Sequence, residues 1–322
     1  MILEKKRPSG IWQTSIQGGR YMSYIDVLNK AEDQVTPGMS ACQGCGGELV
    51  LRTVLKIAGE NTIVGIPPGC MAGAGVVGWN YANGLKIPVH IPLLDNTASF
   101  LTGLSQIYER KGRADVNIVA VAGDGATADC GFQSLSASAE RNEKMLYVCY
   151  DNEGYMNTGY QRSSTTTKGS RTSTTPIGTV INGKQQQQKY LPLILSMHGL
   201  TYCATASVSH MADLVMKVEK GLEASKKGFA YLHVFSPCPT GWAYPADKAI
   251  EVARNAVKAN VFPLWEMEDG TYKINVANKM PISVEEFVKG IGKFKNLSRE
   301  DVGSIQKAVD ERYELLKRLA AV

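Results

Sequence analysis

The chain has 322 residues, 44% hydrophobic and 20% charged, with a formal net charge of +5, a balance that suits a globular protein of one large or two small domains with a full core. No long basic run points to nucleic acid, no apolar run approaches the roughly 18 residues of a membrane span, and the basic start M-I-L-E-K-K-R lacks the apolar stretch of a secretory signal. A cytoplasmic protein is therefore expected, with a mild positive charge that suits an acidic protein partner.

Residues 1–36 carry little periodicity and read as an arm or short helix that packs on a partner. At Thr36 the composition changes to T-P-G-M-S-A-C-Q-G-C-G-G, a glycine-rich loop holding Cys42, Cys45 and Gly46. A helix is predicted over 48–58, where Leu49, Val50, Val54, Leu55 and Ile57 form an apolar stripe. A short buried strand over 62–66 ends in P-P-G-C, which places Cys70 in a loop. Residues 71–84, rich in Gly and small side chains, read as irregular. A strand over 87–91 carries His90, read as a core or supporting histidine. It leads to Asp95-Asn96, a strand-end loop of the kind where ligand contacts gather; Asn96 serves equally as the N-cap of a helix over 97–111.

The centre of the chain carries the strongest pattern. Residues 117–122 and 145–150 are β-branched and aromatic runs that end in turn residues, and they read as buried parallel strands. A helix over 131–142 joins them into a β-loop-α-β unit. Ligands in open α/β sheets sit beyond the carboxyl ends of the strands. Asp124 follows the first strand and Asn152 the second, 28 residues later, so a single crossover brings both to one crevice. A carboxylate, an amide oxygen and a backbone carbonyl just after it would suit Mg²⁺ holding a diphosphate. Gly123 and Gly125 let the backbone approach phosphates closely. The alternative, a tight turn with glycines for geometry only, is opposed by D-N-E-G-Y-M-N-T-G at the right distance.

Residues 162–189 form a long polar stretch containing S-S-T-T-T, S-T-T-T-P and Q-Q-Q-Q. Loops this long inside a domain are either functional or disordered, and its place directly after the central motif favours an ordered active-site or subunit-contact loop. Helices over 190–198 and 212–226 alternate with strands over 202–207 and 230–235, and 262–267 with 271–274 form a hairpin around Asp269-Gly270. Two capping signals, Ser283 with Glu286 and Ser298 with Asp301, open the last helices. The final helix carries Val302, Ile305, Val309, Tyr313 and Leu316 on one face. The whole is expected to be α/β, a mostly parallel sheet with helices on both faces. Its division is an arm (1–36), a main domain (37–275) and a helical C-terminal extension (276–322).

Seven cysteines in a long chain of this kind argue for metal or redox chemistry rather than a disulfide framework. Cys42 and Cys45 form C-x-x-C, Cys70 lies in P-G-C and Cys238 in S-P-C-P-T-G-W, after a strand. A thioredoxin-like pair fits poorly, because no strand precedes the C-x-x-C. A four-thiolate site would suit Zn²⁺ or a [4Fe–4S] cluster, and spacing does not separate the two. Cys130, Cys149 and Cys203 read as small buried hydrophobes, and His198, His210 and His233 receive no role.

The string G-D-G-A-T-A-D, followed one crossover later by Y-D-N-E-G-Y-M-N-T-G-Y-Q-R-S-S, resembles the thiamine-diphosphate-binding β subunit of the 2-oxoacid:ferredoxin oxidoreductases, from about residue 37 to 265. The resemblance implies a thiamine-diphosphate-binding fold in which Asp124, Asn152 and the Gly154 carbonyl hold Mg²⁺. Gly123, Gly125, Asn96 and Gly46 would contact the cofactor, and Asn157 and Thr158 would line the diphosphate and the reacting carbon, Asn157 as the catalytic residue. It implies that Cys42, Cys45, Cys70 and Cys238 hold a [4Fe–4S] cluster, making residues 37–275 a thiamine and iron–sulfur domain. The implied activity is oxidative decarboxylation of a 2-oxoacid, usually to an acyl-CoA and CO₂, with electrons passed to ferredoxin or another acceptor. Alternatives are a zinc-stabilised non-catalytic subunit and a non-oxidative thiamine-dependent lyase. The segments 71–80 and L-L-D-N-T-A-S depart from the pyruvate enzymes, so pyruvate, oxalate, branched-chain and aryl 2-oxoacids all stay open. Implied partners are α, γ and δ subunits. One of them would supply the carboxylate that activates thiamine, since Glu153 belongs to the diphosphate loop and Glu109, Glu140 and Glu143 fall toward helix ends.

Overall fold

The computed structural model describes residues 21–76, 84–179 and 182–321. Residues 1–20 of the predicted arm, and 77–83 of the small-residue segment, lie outside the described residues. In chain order the elements are α1 (Tyr24–Lys30), α2 (Gly46–Ala58), β1 (Thr62–Gly65), β2 (Val89–His90), α3 (Thr97–Arg110), β3 (Asn117–Gly123), α4 (Phe132–Glu140) and β4 (Met145–Asp151). There follow α5 (Leu191–Ser196), β5 (Tyr202–Ser207), α6 (Met211–Ala224), β6 (Phe229–Phe235), α7 (Pro239–Trp242), α8 (Ala249–Lys258), β7 (Trp265–Glu268), β8 (Thr271–Ile274), α9 (Val284–Val288) and α10 (Arg299–Ala320).

The strands form one sheet in the order β2-β1-β3-β4-β6-β5-β7-β8. The first six run parallel, and β7 and β8 close the edge antiparallel. Central β4 and β6 are buried along their whole length, which is why their sequences are continuous apolar runs rather than alternating ones. Apolar side chains pack on both faces: Val50, Val54, Leu214, Val218 and Ala253 on one, Leu101, Leu135, Leu191 and Leu195 on the other. This is the expected doubly covered α/β layer structure.

The consequence for function is geometric. β1, β3, β4 and β6 are consecutive neighbours in the sheet and point the same way, so the segments that follow them emerge side by side at one end. Those segments carry Cys70, Asp124, Asn152 and Cys238.

Differences from expectation have local causes. The strand predicted over 87–91 is cut to Val89–His90. Pro88 and Pro92 bracket it, and proline cannot donate to a strand ladder. His90 is not a core residue; it is exposed and its ring lies against Phe100, centroids 5.4 Å apart. Met71–Val76, expected to be irregular, forms a π-helical turn, as does Gly125–Cys130 ahead of α4. Such turns gather at functional sites. The Asp269-Gly270 hairpin forms with both residues at positive φ, as a two-residue turn between twisted strands demands.

The described part of the N-terminal segment and the last helix both pack on this chain. Val27 of α1 is buried beside Val215 of α6, and the Met22 amide donates to the Glu219 carboxylate at 3.0 Å. On α10, Ile305, Val309 and Leu316 are buried and the helix lies along β8 and α9. The apolar stripe of the last helix is thus buried, at Ile305, Val309 and Leu316, within its own chain. Among the described residues no helix is long and apolar enough to cross a membrane.

Candidate functional site

Asp124 comes off the end of β3 and Asn152 off the end of β4. Asp124 is fully buried. Its Oδ1 accepts the Asn152 amide N–H at 3.3 Å and its Oδ2 the Thr165 hydroxyl at 3.0 Å. One end of the Asn152 side-chain amide stands 3.0 Å from Asp124 Oδ1 and 2.9 Å from the Gly154 carbonyl oxygen. With its NH₂ at that end the amide bridges the two oxygens by hydrogen bonds. Turned by 180°, it completes a set of three oxygens. Ligands at neighbouring corners of a Mg²⁺ octahedron, each about 2.1 Å from the ion, stand about 3 Å from one another. The spacing here matches, so the residues present fit the cation.

Electrostatics agree with that chemistry. Burial pushes the Asp124 carboxyl well above the ordinary range, and the charge of Asp151 adds to the rise. Its donors are neutral, so a bound cation is what would stabilise the carboxylate. Asp151, at the last position of β4, behaves oppositely. Burial would raise it, but the bond and charge of His233 outweigh burial and hold it low. His233 Nε2 is 2.8 Å from Asp151 Oδ2, and Tyr231 Oη is 2.6 Å from His233 Nδ1. His233, given no role from sequence, is thus part of a buried polar network beneath the site.

A cleft opens above these groups. It is lined by Gly123, Gly125, Asn152, Gly154, Asn157 and Thr158, together with apolar Pro68, Leu94 and Met156 and with Cys70. Asn157 lies against Gly73 of the first π-helical turn. Gly125 has no room for a side chain: a Cβ there would stand 2.5 Å from Cζ of Tyr155, whose hydroxyl donates to the Gly125 carbonyl. Gly46 and Asn96 are not among the cleft-lining residues. Gly46 instead lets α2 close on the end of β6, where a Cβ would stand 2.9 Å from Ser236 Cβ. Among the described residues Asn96 makes no side-chain cap, and its buried Oδ1 finds no hydrogen-bond donor.

The segment 162–189 packs over the same site. Ser163, Thr165, Thr166, Thr167 and Ser170 are all buried. Thr165 Oγ1 reaches both Asp124 and Asp151, at 3.0 and 2.9 Å. Buried Lys184 donates to the carbonyls of Ser164 and Thr166. Glu153, at φ 60° between the two candidate metal ligands, is held by several donors. Thr167 Oγ1 is 2.8 Å and Lys293 Nζ 2.7 Å from its Oε2, and Gln188 Nε2 is 3.3 Å from its Oε1. The Glu153–Lys293 pair is buried on both sides, and breaking such a pair typically costs about 3–5 kcal/mol. Neither Asp151–His233 nor Glu153–Lys293 had a signal in the sequence, because their partners are 82 and 140 residues apart.

The thiols of Cys42, Cys45, Cys70 and Cys238 gather at the same end of the sheet. Burial pushes Cys70 up to about 12, helped by the charges of Cys45, Cys238, Cys42 and Asp124. Burial also raises Cys45 and Cys238, each of which feels the Cys42 charge. A backbone N–H faces one of these sulfurs: Gly241 N is 3.3 Å from Cys238 Sγ. At Cys45 the nearby backbone N–H groups of Glu48 and Gly47, at the start of α2, partly offset the effect of burial. Among the described residues no three His, Cys, Asp or Glu side chains close on a single ion, so the sulfurs are electrostatic neighbours without converging on one point. Cys149 and Cys203 are buried as expected, whereas Cys130 is exposed. It ends the second π-helical turn and its sulfur lies 3.4 Å from Tyr155 Oη.

Comparison with known proteins gives the family. Residues 85–234 match the family described as thiamine pyrophosphate enzyme, C-terminal TPP binding domain. The chain is 49% identical to the NADH-dependent phenylglyoxylate dehydrogenase subunit beta of Aromatoleum evansii, over 93% of this chain and 68% of that one. It is 41% identical to the ketoisovalerate oxidoreductase subunit VorB of Pyrococcus furiosus, over 90% and 94%. With the pyruvate synthase subunit PorB of Methanocaldococcus jannaschii it shares 39%, over 88% and 97%. In fold it is similar to a chain of the 2-oxoglutarate:ferredoxin oxidoreductase from Magnetococcus marinus, with a TM-score of 0.54 at 20% identity over 92% and 94% of the two chains. Sheet, cleft and relatives lead to one assignment: this chain belongs to the family of thiamine-diphosphate-binding β subunits of the 2-oxoacid oxidoreductases.

Proposed function

We propose that this chain is the cofactor-holding subunit of a complex that oxidatively decarboxylates an apolar 2-oxoacid. The observation that carries it is the set of three oxygens from Asp124, Asn152 and Gly154 beneath a cleft whose wall includes Cys70. Asp124, Asn152 and the Gly154 carbonyl would hold Mg²⁺, and the backbone at Gly123 and Gly125 would give a diphosphate room to approach. Asn157 and Thr158 face the rest of the cofactor, with Asn157 nearest the chemistry. Thiamine diphosphate, when bound, supplies the carbanion stabilisation that lets CO₂ leave. The chain's residues fix its orientation, and Leu94, Met156 and Pro68 give the cleft an apolar wall.

Cys42, Cys45, Cys70 and Cys238 hold a [4Fe–4S] cluster. A cube of irons and sulfides needs a wider ring of thiolates than a single zinc ion, whose four sulfurs would each lie about 2.3 Å from one centre. The Gly241 N–H facing Cys238 suits a thiolate that carries a cluster's negative charge. An aryl 2-oxoacid is the leading substrate class, from the likeness to the phenylglyoxylate enzyme's subunit and the apolar cleft. Branched-chain acids follow. Electrons leave for ferredoxin or, through another subunit, NAD, and coenzyme A accepts the acyl group. Partner subunits of α, γ or δ type complete the site and supply the carboxylate that activates thiamine.

The test is an anaerobic activity screen of the whole purified complex against pyruvate, oxalate, branched-chain and aryl 2-oxoacids, with a viologen dye as acceptor. Thiamine-dependent dye reduction is expected, fastest with an aryl acid. CO₂ release without dye reduction would instead support a non-oxidative lyase, and no turnover with any acid would support a non-catalytic subunit.

A further inference from the structure

Lys293 lies in the C-terminal extension, far in sequence from every cofactor motif, yet its ammonium is fully buried beside them. It stands 2.7 Å from Glu153 Oε2 and 3.0 Å from the centre of the Trp242 ring. Trp242 is itself shared between the two sites. Its indole N–H donates to the Asn152 carbonyl at 2.8 Å, and its backbone N–H donates to the Cys238 carbonyl at 2.9 Å. Lys293 therefore sits against a residue that is hydrogen-bonded to a candidate Mg²⁺ ligand through its side chain and to a candidate cluster ligand through its backbone. Two further contacts pin it there. The Gly292 N–H donates to the Ala243 carbonyl, one residue past Trp242, and the Arg171 N–H donates to the Lys293 carbonyl.

We propose that Lys293 is a positioning residue common to both cofactor sites. Through Glu153 it holds the Asn152–Gly154 backbone in place, and through its charge beside the Trp242–Cys238 turn it sets how readily the cluster accepts an electron. This rests on the cluster proposed above. The physical reason is that a cluster becomes more negative on reduction, and a fixed positive charge in a low-dielectric interior stabilises the reduced form. Water cannot replace that charge, because the site is closed by Trp242, Phe294 and the 162–189 segment. On the other side, Glu153 occupies a left-handed backbone position that few non-glycine residues adopt. Anchoring both of its carboxylate oxygens holds that conformation, and with it the spacing of Asn152 and Gly154.

The experiment uses the whole purified complex carrying Lys293→Met, Lys293→Gln or Lys293→Arg. Reductive titration is followed by electron paramagnetic resonance, on the signal that is absent in Cys238→Ser. Both neutral variants should lower the midpoint potential by about 59 mV, a tenfold loss in the one-electron equilibrium. They should also weaken thiamine diphosphate binding about tenfold by calorimetric titration. The arginine variant keeps the charge and should restore the potential. Should Lys293→Met fail to assemble, Lys293→Gln keeps a donor toward Glu153 and gives the same reading. A Cys238-dependent signal whose potential moves less than threefold in its equilibrium, whatever happens to melting temperature, overturns the role given to Lys293 and leaves the cluster standing. A spectrum in which no signal depends on Cys238 overturns both.

Discussion

Asp124→Asn isolates the charge at the centre of the site. The two side chains are nearly identical in shape, so no cavity opens, and both partners of Asp124 survive: Asn can accept the Asn152 N–H and donate to Thr165 Oγ1. Only the negative charge is lost. That charge is fully buried among neutral donors, the backbone and side-chain N–H groups of Asn152 and the Thr165 hydroxyl, and it is the sole ionised member of the three-oxygen set. Its removal should weaken Mg²⁺-dependent thiamine diphosphate binding at least 100-fold, about 2.7 kcal/mol. The cofactor-free protein should respond in the opposite sense, because an under-compensated buried carboxylate opposes folding. The pH dependence follows from the direction of the shift. The folded pKa of Asp124 lies above its unfolded value, so the folded state binds more protons. Stability of the cofactor-free protein therefore falls as pH rises from the unfolded pKa through the folded one, and the asparagine variant should lose that slope. Calorimetric titration of thiamine diphosphate with Mg²⁺ into the variant complex reads the affinity, and melting against pH reads the slope. Affinity within about threefold of wild type would refute the assignment of the metal site.

Gly125→Ala places a methyl group against the Tyr155 ring, which must swing away and release its bond to the Gly125 carbonyl. A loss of about 1–3 kcal/mol in stability is expected, as for other overpacked sites, together with weaker cofactor binding; an unchanged melting curve would count against the close approach. Cys238→Ser should leave thiamine diphosphate binding intact and remove the cluster, read as iron content and the loss of a paramagnetic signal; a full iron complement would place the fourth ligand elsewhere. The chain expressed alone, reconstituted with iron, sulfide, Mg²⁺ and thiamine diphosphate, should not reduce dye with any 2-oxoacid. Turnover comparable to the complex would mean that the activating carboxylate lies in this chain.

The positions of Asp124 and Asn152 were legible before any fold, and so was the layer structure. A buried parallel strand must be apolar throughout, and the residue just past its end meets the ligand crevice, so local runs such as Ile118–Ala122 and Leu146–Tyr150 announce both the sheet and its site. Strand lengths at the sheet's edge were less legible, because Pro88 and Pro92 act on the ladder rather than on hydrophobic period. The long polar stretch illustrates a different limit. Its Ser, Thr and Gln composition is that of a solvated loop, yet Ser163, Thr166 and Lys184 are buried because each finds a backbone or side-chain partner that composition alone does not reveal.

The sequence by itself determined the chemistry available: a strand-end Gly-Asp-Gly, an Asn-bearing loop one crossover later, and four cysteines, Cys42, Cys45, Cys70 and Cys238, in loop contexts. Local spacing encodes these because each depends on residues within a single β-loop-α-β unit or a single loop. The tertiary structure alone decided what holds that chemistry in place. It paired His233 with Asp151 and Lys293 with Glu153, gave Gly46 to the closure of α2 on β6, and buried the stripe of α10 on its own chain. Those pairings join segments far apart in sequence, and a buried charge selects its partner by position in the folded interior, where water is excluded, rather than by distance along the chain.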